Sequence, residues 1–388
     1  MHDVSLTLEP LVAIAGARRW AERMEWLSRQ ATSGQRVGRA LVQRHVIEIT
    51  LEKLRQAGST RTVTEPERAL IATAGEVVAV YAGLSTAGRA ALRAVLRAGL
   101  DGEGTLVPLF HLMRIAALQR ARGFEVRFAG LEDAAPFDLL IRRAGIEAEI
   151  ACDVVSAEEG RDVHRGAWVR LVDAIDPDLQ TWLADHPGRY LLKLTLPQGL
   201  RATPEPMAAL HQRIRFMLAE SRRSDHDEAA VLRLDPLMLA AAQLGETALM
   251  PSLRREFGPE AHLAVTASGG GVFVLAARAG REDEVAVAIR RRMSAIAPAR
   301  LTGTRPGILA MFVEDTDRTE WRALRERLEL EGETRQFLTN PEARRVVAVS
   351  CSSRLELFGG TDEELRFRNP AHPAAKAPAL APAVLSSL

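Results

Sequence analysis

The middle of the chain alternates apolar runs with short polar turns. From Gly123 to Arg165 the sequence is GFEVRFAGLEDAAPFDLLIRRAGIEAEIACDVVSAEEGRDVHR. Short apolar or alternating runs bounded by turn residues predict β-strands, here Phe124 to Phe128, Phe137 to Arg142 and Ile146 to Val155. The turn at Ala144-Gly145 separates the last two runs, so this segment begins like a hairpin.

Helical patterns lie on both sides of these strands. Leu106 to Arg122 precedes them and Glu158 to about Leu183 follows, and a fourth strand is predicted from Tyr190 to Leu196. Pro204 to Arg222 has the pattern of a further helix. The order αβββαβ predicts a mixed sheet with helices on its faces, so we expect an α/β fold.

The remaining sequence divides by its local pattern. Residues 1–100 predict an N-terminal helical region that ends at the Asp101–Gly104 turn. Residues 105–222 are the expected core, and residues 230–365 predict a C-terminal α/β region. Proline and alanine dominate residues 369–388, which predicts a disordered tail.

Composition limits the class of protein. Among 388 residues, 51 Lys and Arg balance 50 Asp and Glu, so a strongly basic coat for nucleic acid is excluded while local basic faces are not. Two cysteines exclude a disulfide scaffold. The sequence shows neither a signal-peptide pattern nor an apolar run of about 20 residues, which predicts a cytoplasmic protein with no membrane partner.

The central stretch carries a family resemblance. Pro136-Phe137-Asp138 starts one predicted strand, Glu149 to Ser156 forms the next, and Gly160-Arg161 follows. This order resembles the PD-(D/E)xK, or restriction-endonuclease-like, superfamily, over roughly residues 105 to 200. That family places an acid at the start of the second strand and a D/E-x-K pair on the third. The resemblance implies a restriction-endonuclease-like core.

Metal-dependent hydrolysis explains why those positions matter. Two carboxylates from adjacent strands bind Mg²⁺, and a lysine orients the attacking water. In an active protein the resemblance implies Asp138 and Glu149 as metal ligands, with Mg²⁺ as the cofactor. It implies catalytic roles for Asp138, Glu149, Asp153 and Lys193. Strand parity places Glu149, Ala151 and Asp153 on one face of the third strand.

The sequence departs from the family pattern at decisive positions. With Cys152 in the middle of the motif, Ala151 occupies the position of the acid and Asp153 that of the lysine. The preceding helix supplies His111 near the position of a further family acid. Only Asp138 matches. These departures predict a nuclease-like fold that has lost its cleavage chemistry and needs no cofactor.

Lys193 leaves one catalytic alternative open. It is one of only three lysines in the chain, and it lies on the predicted fourth strand. A lysine that has migrated there would give a Mg²⁺-dependent DNA nuclease with rearranged catalytic residues. Two other residues have structural interpretations: Asp138 as a strand-start residue that bonds nearby amides, and Cys152 as a small core residue.

Basic residues give the binding hypothesis. In the nuclease-like reading, the residues at the start of the helix after the third strand contact phosphates, and a second basic cluster lies further along. The candidates are Arg161, His164 and Arg165, with Arg290, Arg291 and Arg292. The sequence therefore predicts a protein that binds DNA, a protein partner or a second copy of itself. The alternative is a structural or assembly protein with no nucleic-acid role.

Overall fold

Helices dominate the first part of the chain and flank strands in the rest. The computed structural model describes residues 4–32, 35–58, 62–237, 246–258, 261–359 and 364–385. Its helices are α1 Val4–Ala15, α2 Ala17–Ala31, α3 Gln35–Arg44, α4 Val46–Ala57, α5 Glu65–Gly83, α6 Thr86–Leu100, α7 Val107–Ala121, α8 Ala129–Glu132, α9 Arg165–Asp185, α10 Pro204–Ala219, α11 Glu246–Phe257, α12 Val285–Arg300, α13 Arg318–Glu326, α14 Glu329–Thr339, α15 Arg354–Leu357 and α16 Ala381–Val384.

The strands form two mixed sheets. They are β1 Glu125–Arg127, β2 Leu139–Arg143, β3 Ile146–Ser156, β4 Arg189–Leu196, β5 Ser224–His226, β6 Val231–Pro236, β7 His262–Ser268, β8 Gly271–Ala279, β9 Gly307–Glu314, β10 Val346–Ser353 and β11 Leu365–Arg368. One sheet has the order β1-β2-β3-β9-β10-β11 and the other β5-β6-β4-β8-β7. The chain is α/β, as the sequence predicts, because both sheets combine parallel and antiparallel neighbours.

The chain forms two compact units, each discontinuous in sequence. Unit 1 comprises residues 1–29, 42–159 and 286–388 and holds the six-stranded sheet. Unit 2 comprises residues 30–41 and 160–285 and holds the five-stranded sheet. The C-terminal α/β region is divided between them: β6, β7 and β8 belong to unit 2, whereas β9, β10 and β11 complete the sheet of unit 1.

Unit 1 contains the predicted order αβββαβ, but its last helix and last strand are not the predicted segments. Along this unit the elements α7-β1-β2-β3 are followed by α12 and β9, and β9 pairs in parallel with β3. The predicted fourth strand exists as β4, but it does not belong to the sheet of β1, β2 and β3, because it pairs with β6 and β8 in unit 2. The longer segment of unit 2, residues 160–285, separates β3 from α12 along the chain, and local sequence patterns do not reveal this insertion.

Alternation along β3 determines which side chains face the helical core. Ala148 and Ile150 are fully buried in the core formed with the N-terminal helices, and Cys152 packs against the same cluster. Glu149 and Asp153 therefore project from the opposite face. Both make their hydrogen bonds with residues 292–305, which confirms the predicted strand parity.

The N-terminal helical region is confirmed as α1 to α6. Its clearest sequence signal is the start of α5, where Thr64 and Glu67 form a reciprocal capping box and Pro66 lies in the first turn. These contacts satisfy amide groups that the helix itself leaves unpaired. None of the described helices combines the length and the apolar character needed to cross a bilayer.

The prediction of a disordered tail is wrong for residues 369–385. Asn369 donates a hydrogen bond from Nδ2 to the Val346 carbonyl at 2.8 Å. A short 3₁₀ turn at Pro373–Lys376 and helix α16 follow, and Leu380 and Val384 are buried. Ala375 and Ala383 are also buried, so the apolar side chains of this segment pack on unit 1 and their burial offsets the ordering entropy. Residues 386–388 lie outside the described residues.

Unit 2 is built around β4 and β8. The turn predicted between two strands at Ser268–Gly271 is confirmed as the β7–β8 hairpin. Helix α3 begins in this unit, where the backbone amides of Arg36 and Val37 donate to the carboxylate of Asp173. A carboxylate at the start of a helix accepts hydrogen bonds from amides that have no partner within the helix. Its negative charge also interacts favourably with the helix dipole.

Candidate functional site

Asp138 lies immediately before β2 and is held by its neighbours. Its backbone amide donates to the Ile150 carbonyl at 2.9 Å. Its Oδ2 accepts from the Cys152 amide at 2.7 Å and from Arg300 Nη2 at 2.8 Å. The interpretation of Asp138 as a strand-start residue that bonds a backbone amide is confirmed.

Asp153 lies near the end of β3 and has an arginine of its own. Arg292 donates from Nε to Oδ2 at 2.5 Å and from Nη2 to Oδ1 at 2.9 Å. This two-point geometry is the strongest form of a guanidinium–carboxylate pair. The Asp153 side chain is only 10% exposed, so the pair is partly shielded from water.

Glu149 is fully buried, and the loop between α12 and β9 provides the donors for its hydrogen bonds. Its carboxylate accepts from the Thr302 amide at 2.8 Å and from Thr302 Oγ1 at 2.5 Å. Arg305 places Nη1 3.6 Å from the same carboxylate. Ala151, between Glu149 and Asp153 on this face, is also fully buried and offers no ligand.

We refer to Asp138, Glu149 and Asp153 as the acidic face. Arg292 and Arg300 are eight residues apart on α12, which corresponds to about 12 Å along a helix. They reach Asp153 and Asp138 respectively, so α12 lies along this side of the sheet. The structure thus brings the three predicted acids onto one face, and each has a different partner.

The pKa shifts of Asp138 and Cys152 are consistent with acids on this face that are paired with arginines. Burial raises the pKa of Asp138, and the negative charge of Asp153 raises it further, while Arg300 and the Cys152 amide lower it. Burial also raises the pKa of the Cys152 thiol well above its usual range. The thiol therefore stays protonated and is a poor nucleophile, in agreement with the interpretation of Cys152 as a core residue.

The acidic face does not fit a magnesium ion. Mg²⁺ needs free carboxylate oxygens in near-octahedral geometry. Both oxygens of Glu149 accept hydrogen bonds, and Asp138 Oδ2 accepts two. In the described part of the chain, no group of three or more His, Cys, Asp or Glu side chains is arranged to hold a metal.

Lys193 lies on β4, in the sheet of unit 2, and not on the sheet that carries the acidic face. Its Nζ is 3.3 Å from Asp235 Oδ2. The lysine therefore neutralises an acid on the neighbouring strand β6. The catalytic role of a lysine that has migrated to this strand stays a prediction.

The predicted phosphate-contacting residues are divided between the two units. In unit 2, Arg161 is only 2% exposed, and its contact with phosphate stays a prediction. His164 caps α9 and contacts Arg201, and Arg165 is the first residue of that helix. Their proposed contacts with nucleic acid stay predictions.

The second predicted basic cluster belongs to unit 1. Arg290 pairs with Glu333, with Nε 2.5 Å from Oε2, and Arg292 pairs with Asp153. Arg291, between them, is exposed. The charges of Arg290 and Arg292 are therefore balanced within the unit.

His111 takes no part in the acidic face. It is fully buried on α7, and its Nε2 is 2.9 Å from the Ala310 carbonyl. Burial lowers its pKa to about 4, so the ring is neutral at pH 7. Ala310 belongs to the core shared with the N-terminal helices, which is the opposite side of the sheet from α12.

A polar cluster that the sequence patterns did not predict lies at the carboxyl ends of the parallel strands. Glu314 ends β9 and accepts from Thr105 Oγ1 at 3.2 Å. Asp315 follows in the left-handed region, at φ 59°, and accepts from Ser156 Oγ at 2.6 Å. Burial and the nearby Asp315 raise the pKa of Glu314 to about 7. Two adjacent acids directly after a buried strand are the signal that would have found this cluster.

Comparison with known proteins gives no match: no family model, no curated protein and no solved structure corresponds to this chain.

Proposed function

We propose that this chain is a nuclease-like protein that has lost phosphodiesterase activity and acts by binding DNA. One observation carries the loss of activity: the acids of the acidic face are hydrogen-bonded to α12 and to the loop that follows it. Arg292 and Arg300 supply positive charge where a nuclease would need a divalent ion. DNA is the partner that the restriction-endonuclease-like resemblance implies.

Fixed arginines cannot replace the metal chemically. A divalent ion generates hydroxide by lowering the pKa of a bound water, whereas a guanidinium has neither an open coordination position nor that effect on water. Asp153 also places negative charge at the position where the family uses a lysine. The acidic face therefore stabilises the packing of α12 on the sheet and does not activate a nucleophile.

Topology supports the proposed family. The elements of unit 1 follow the order αβββαβ. Strand β2 pairs antiparallel with both β1 and β3, and β9 pairs parallel with β3. Asp138 occupies the start of the second strand of this order. The chain departs from the expected pattern by the insertion of residues 160–285 before the last helix and strand.

A titration with Mn²⁺ tests the proposed absence of a metal site. Wild-type protein and Asp138→Ala are compared by calorimetry, and we expect no heat that depends on Asp138. A stoichiometric binding heat that Asp138→Ala abolishes would contradict the proposal. Binding of a labelled duplex at low salt tests the second half of the proposal, and the absence of DNA binding would refute it.

A structural or assembly protein with no nucleic-acid role is the second candidate. It is favoured by the pairing of Arg290 with Glu333 and of Arg292 with Asp153, since paired arginines are less available to phosphates. The two candidates differ in salt dependence, because phosphate binding releases counterions and weakens steeply with salt. A stable homo-oligomer that binds no duplex at about 50 mM salt would favour the assembly role.

A further inference from the structure

Helix α6 carries an uninterrupted basic face. Its sequence TAGRAALRAVLRAGL contains three arginines and no acid. Arg89, Arg93 and Arg97 follow at intervals of four residues, so they share one side of the helix at steps of about 6 Å. All three are exposed, whereas Leu92 and Leu96 are fully buried on the other side. We refer to the three arginines as the α6 arginine face.

Contacts within unit 1 orient this face without neutralising it. Arg89 donates to the carbonyls of Tyr81 and Ala82, which are not charged. The Arg93 guanidinium lies 5.1 Å from the centre of the Tyr81 ring. In the part of the chain that the structure describes, Arg97 makes no hydrogen bond or ion pair. Like charges at this spacing weaken an isolated helix slightly, so the face is not explained by helix stability.

The acids at the two ends of α6 are already engaged. Glu132 accepts from the amide and the hydroxyl of Ser85, the residue that caps the helix start. Asp101, which follows the helix, accepts from Arg19 at 2.5 and 2.6 Å. Among the described residues, the positive charges along the middle of α6 therefore have no acidic partner.

The side chains between the arginines indicate what this face can bind. Ala90 and Ala94 are small, and Val95 is the only large apolar side chain exposed on the helix, at 36%. A protein interface needs aromatic or bulky apolar anchors, and a membrane-bound helix needs a broad apolar face. Neither is present on α6 itself. Planar guanidinium forks at regular spacing match phosphate oxygens, and small neighbours allow a backbone to approach closely.

We propose that the α6 arginine face binds the phosphodiester backbone of duplex DNA. This inference rests on the proposed function and gives it a location away from the acidic face. B-form DNA offers a groove wide enough for a helix to lie along its edge, whereas the major groove of duplex RNA is deep and narrow. Contacts of this type fix position and carry no sequence information.

Duplex binding by the full chain, followed by fluorescence anisotropy between about 50 and 200 mM salt, tests the assignment. The key variant is Arg93→Ala with Arg97→Ala. Each lost phosphate contact lowers the salt slope by about 0.9 and weakens binding about tenfold at ~50 mM salt. We expect close to a hundredfold loss for the double variant at ~50 mM salt. Arg335→Ala, a change of another exposed helical arginine in unit 1, should leave both quantities unchanged.

A further variant tests whether a loss of binding comes from misfolding. Arg97→Glu removes no hydrogen bond or ion pair found in the described residues and reverses one charge. Since charge pairs at this spacing affect a helix only slightly, its unfolding midpoint should stay close to that of the wild type while its binding weakens. A double variant that binds duplex DNA with the wild-type slope would overturn this inference alone. A wild type that binds no DNA would overturn the proposed function as well. Preferential binding of duplex RNA or of polyglutamate through these arginines would assign the face to another partner and overturn the DNA assignment.

Discussion

Asp138 shows how the environment of one residue determines its role. The same oxygen accepts a backbone amide from β3 and a guanidinium from α12, so Asp138 joins two elements of unit 1. Burial raises its pKa, and its positive neighbour opposes that effect. A carboxylate in this position contributes to packing only as long as its partner is present, because a buried charge without a partner is costly.

Removal of Arg300 tests that dependence. We expect Arg300→Met to lower the free energy of unfolding by about 1–3 kcal/mol, since Asp138 then keeps only the Cys152 amide. The measurement is urea unfolding at pH 7. Adding Asp138→Asn to the same protein should recover part of the loss, because no charge is left unpaired. Equal stability of Arg300→Met and wild type would show that the pair is not coupled.

Glu314 makes the stability of unit 1 depend on pH. Burial, Asp315 and Glu48 raise its pKa from 4.5 to about 7, against the opposing effects of Arg44 and Thr105. The folded state therefore binds a proton more tightly than the unfolded state does. This contribution is fully present below about pH 4.5 and is lost as the pH rises through about 7.

Glu314→Gln removes this contribution to the pH dependence. We expect the unfolding free energy of the wild type to fall between pH 5 and pH 8 by about 2–3 kcal/mol more than that of the variant. Urea unfolding at the two pH values measures the difference, and Thr319→Val at an exposed position of α13 serves as a neutral control. Parallel pH profiles for Glu314→Gln and wild type would show that Glu314 does not titrate in this range.

At the scale of elements, the C-terminal segment is an integral part of unit 1. Leu380 is fully buried there, although the surrounding composition is rich in proline and alanine. We expect Leu380→Ala to lower the unfolding free energy by about 2–4 kcal/mol, because it leaves a cavity. Leu385→Ala, at a side chain that is 51% exposed, is the matched control and should change stability by less than about 0.5 kcal/mol. Equal stabilities for both variants would indicate a segment that does not pack.

Local sequence patterns predicted much of unit 1 at this scale. Turn residues and alternation located β2 and β3, and the parity of β3 placed Glu149 and Asp153 on one face. The same patterns could not choose the neighbour of β3, because β9 is more than 150 residues away along the chain. For the same reason the partner of Asp153, which is 139 residues distant, was not predicted. The arginines at 290–292 were recognisable as a positively charged cluster, but the sequence did not predict which acids pair with them.

At the scale of the whole molecule, unit 2 interrupts the sequence of unit 1. The two ends of its longer segment lie together, since the Glu284 amide donates to the Gly160 carbonyl at 2.7 Å. A Cβ on Gly160 would come within 2.5 Å of the Val285 backbone, so this close approach requires glycine. Adjacent ends are typical of an inserted domain whose removal the host fold tolerates.

Replacing residues 160–285 with a Gly-Ser-Gly linker tests the independence of unit 1. We expect the shortened chain to unfold cooperatively and to keep slow amide hydrogen exchange in β3, β9 and β10, which form neighbouring parallel pairs. The full chain is the reference for the exchange rates. Loss of protection in these strands would mean that unit 1 needs unit 2 to fold.

We propose that the protein has lost phosphodiester cleavage, and a plasmid-nicking assay measures this activity. Purified full-length protein and Asp138→Ala are incubated with supercoiled plasmid across a range of Mg²⁺ and Mn²⁺ concentrations. The paired acids of the acidic face predict no metal-dependent nicking by the wild type beyond that of Asp138→Ala. Metal-dependent nicking by the wild type that Asp138→Ala abolishes would contradict the claim.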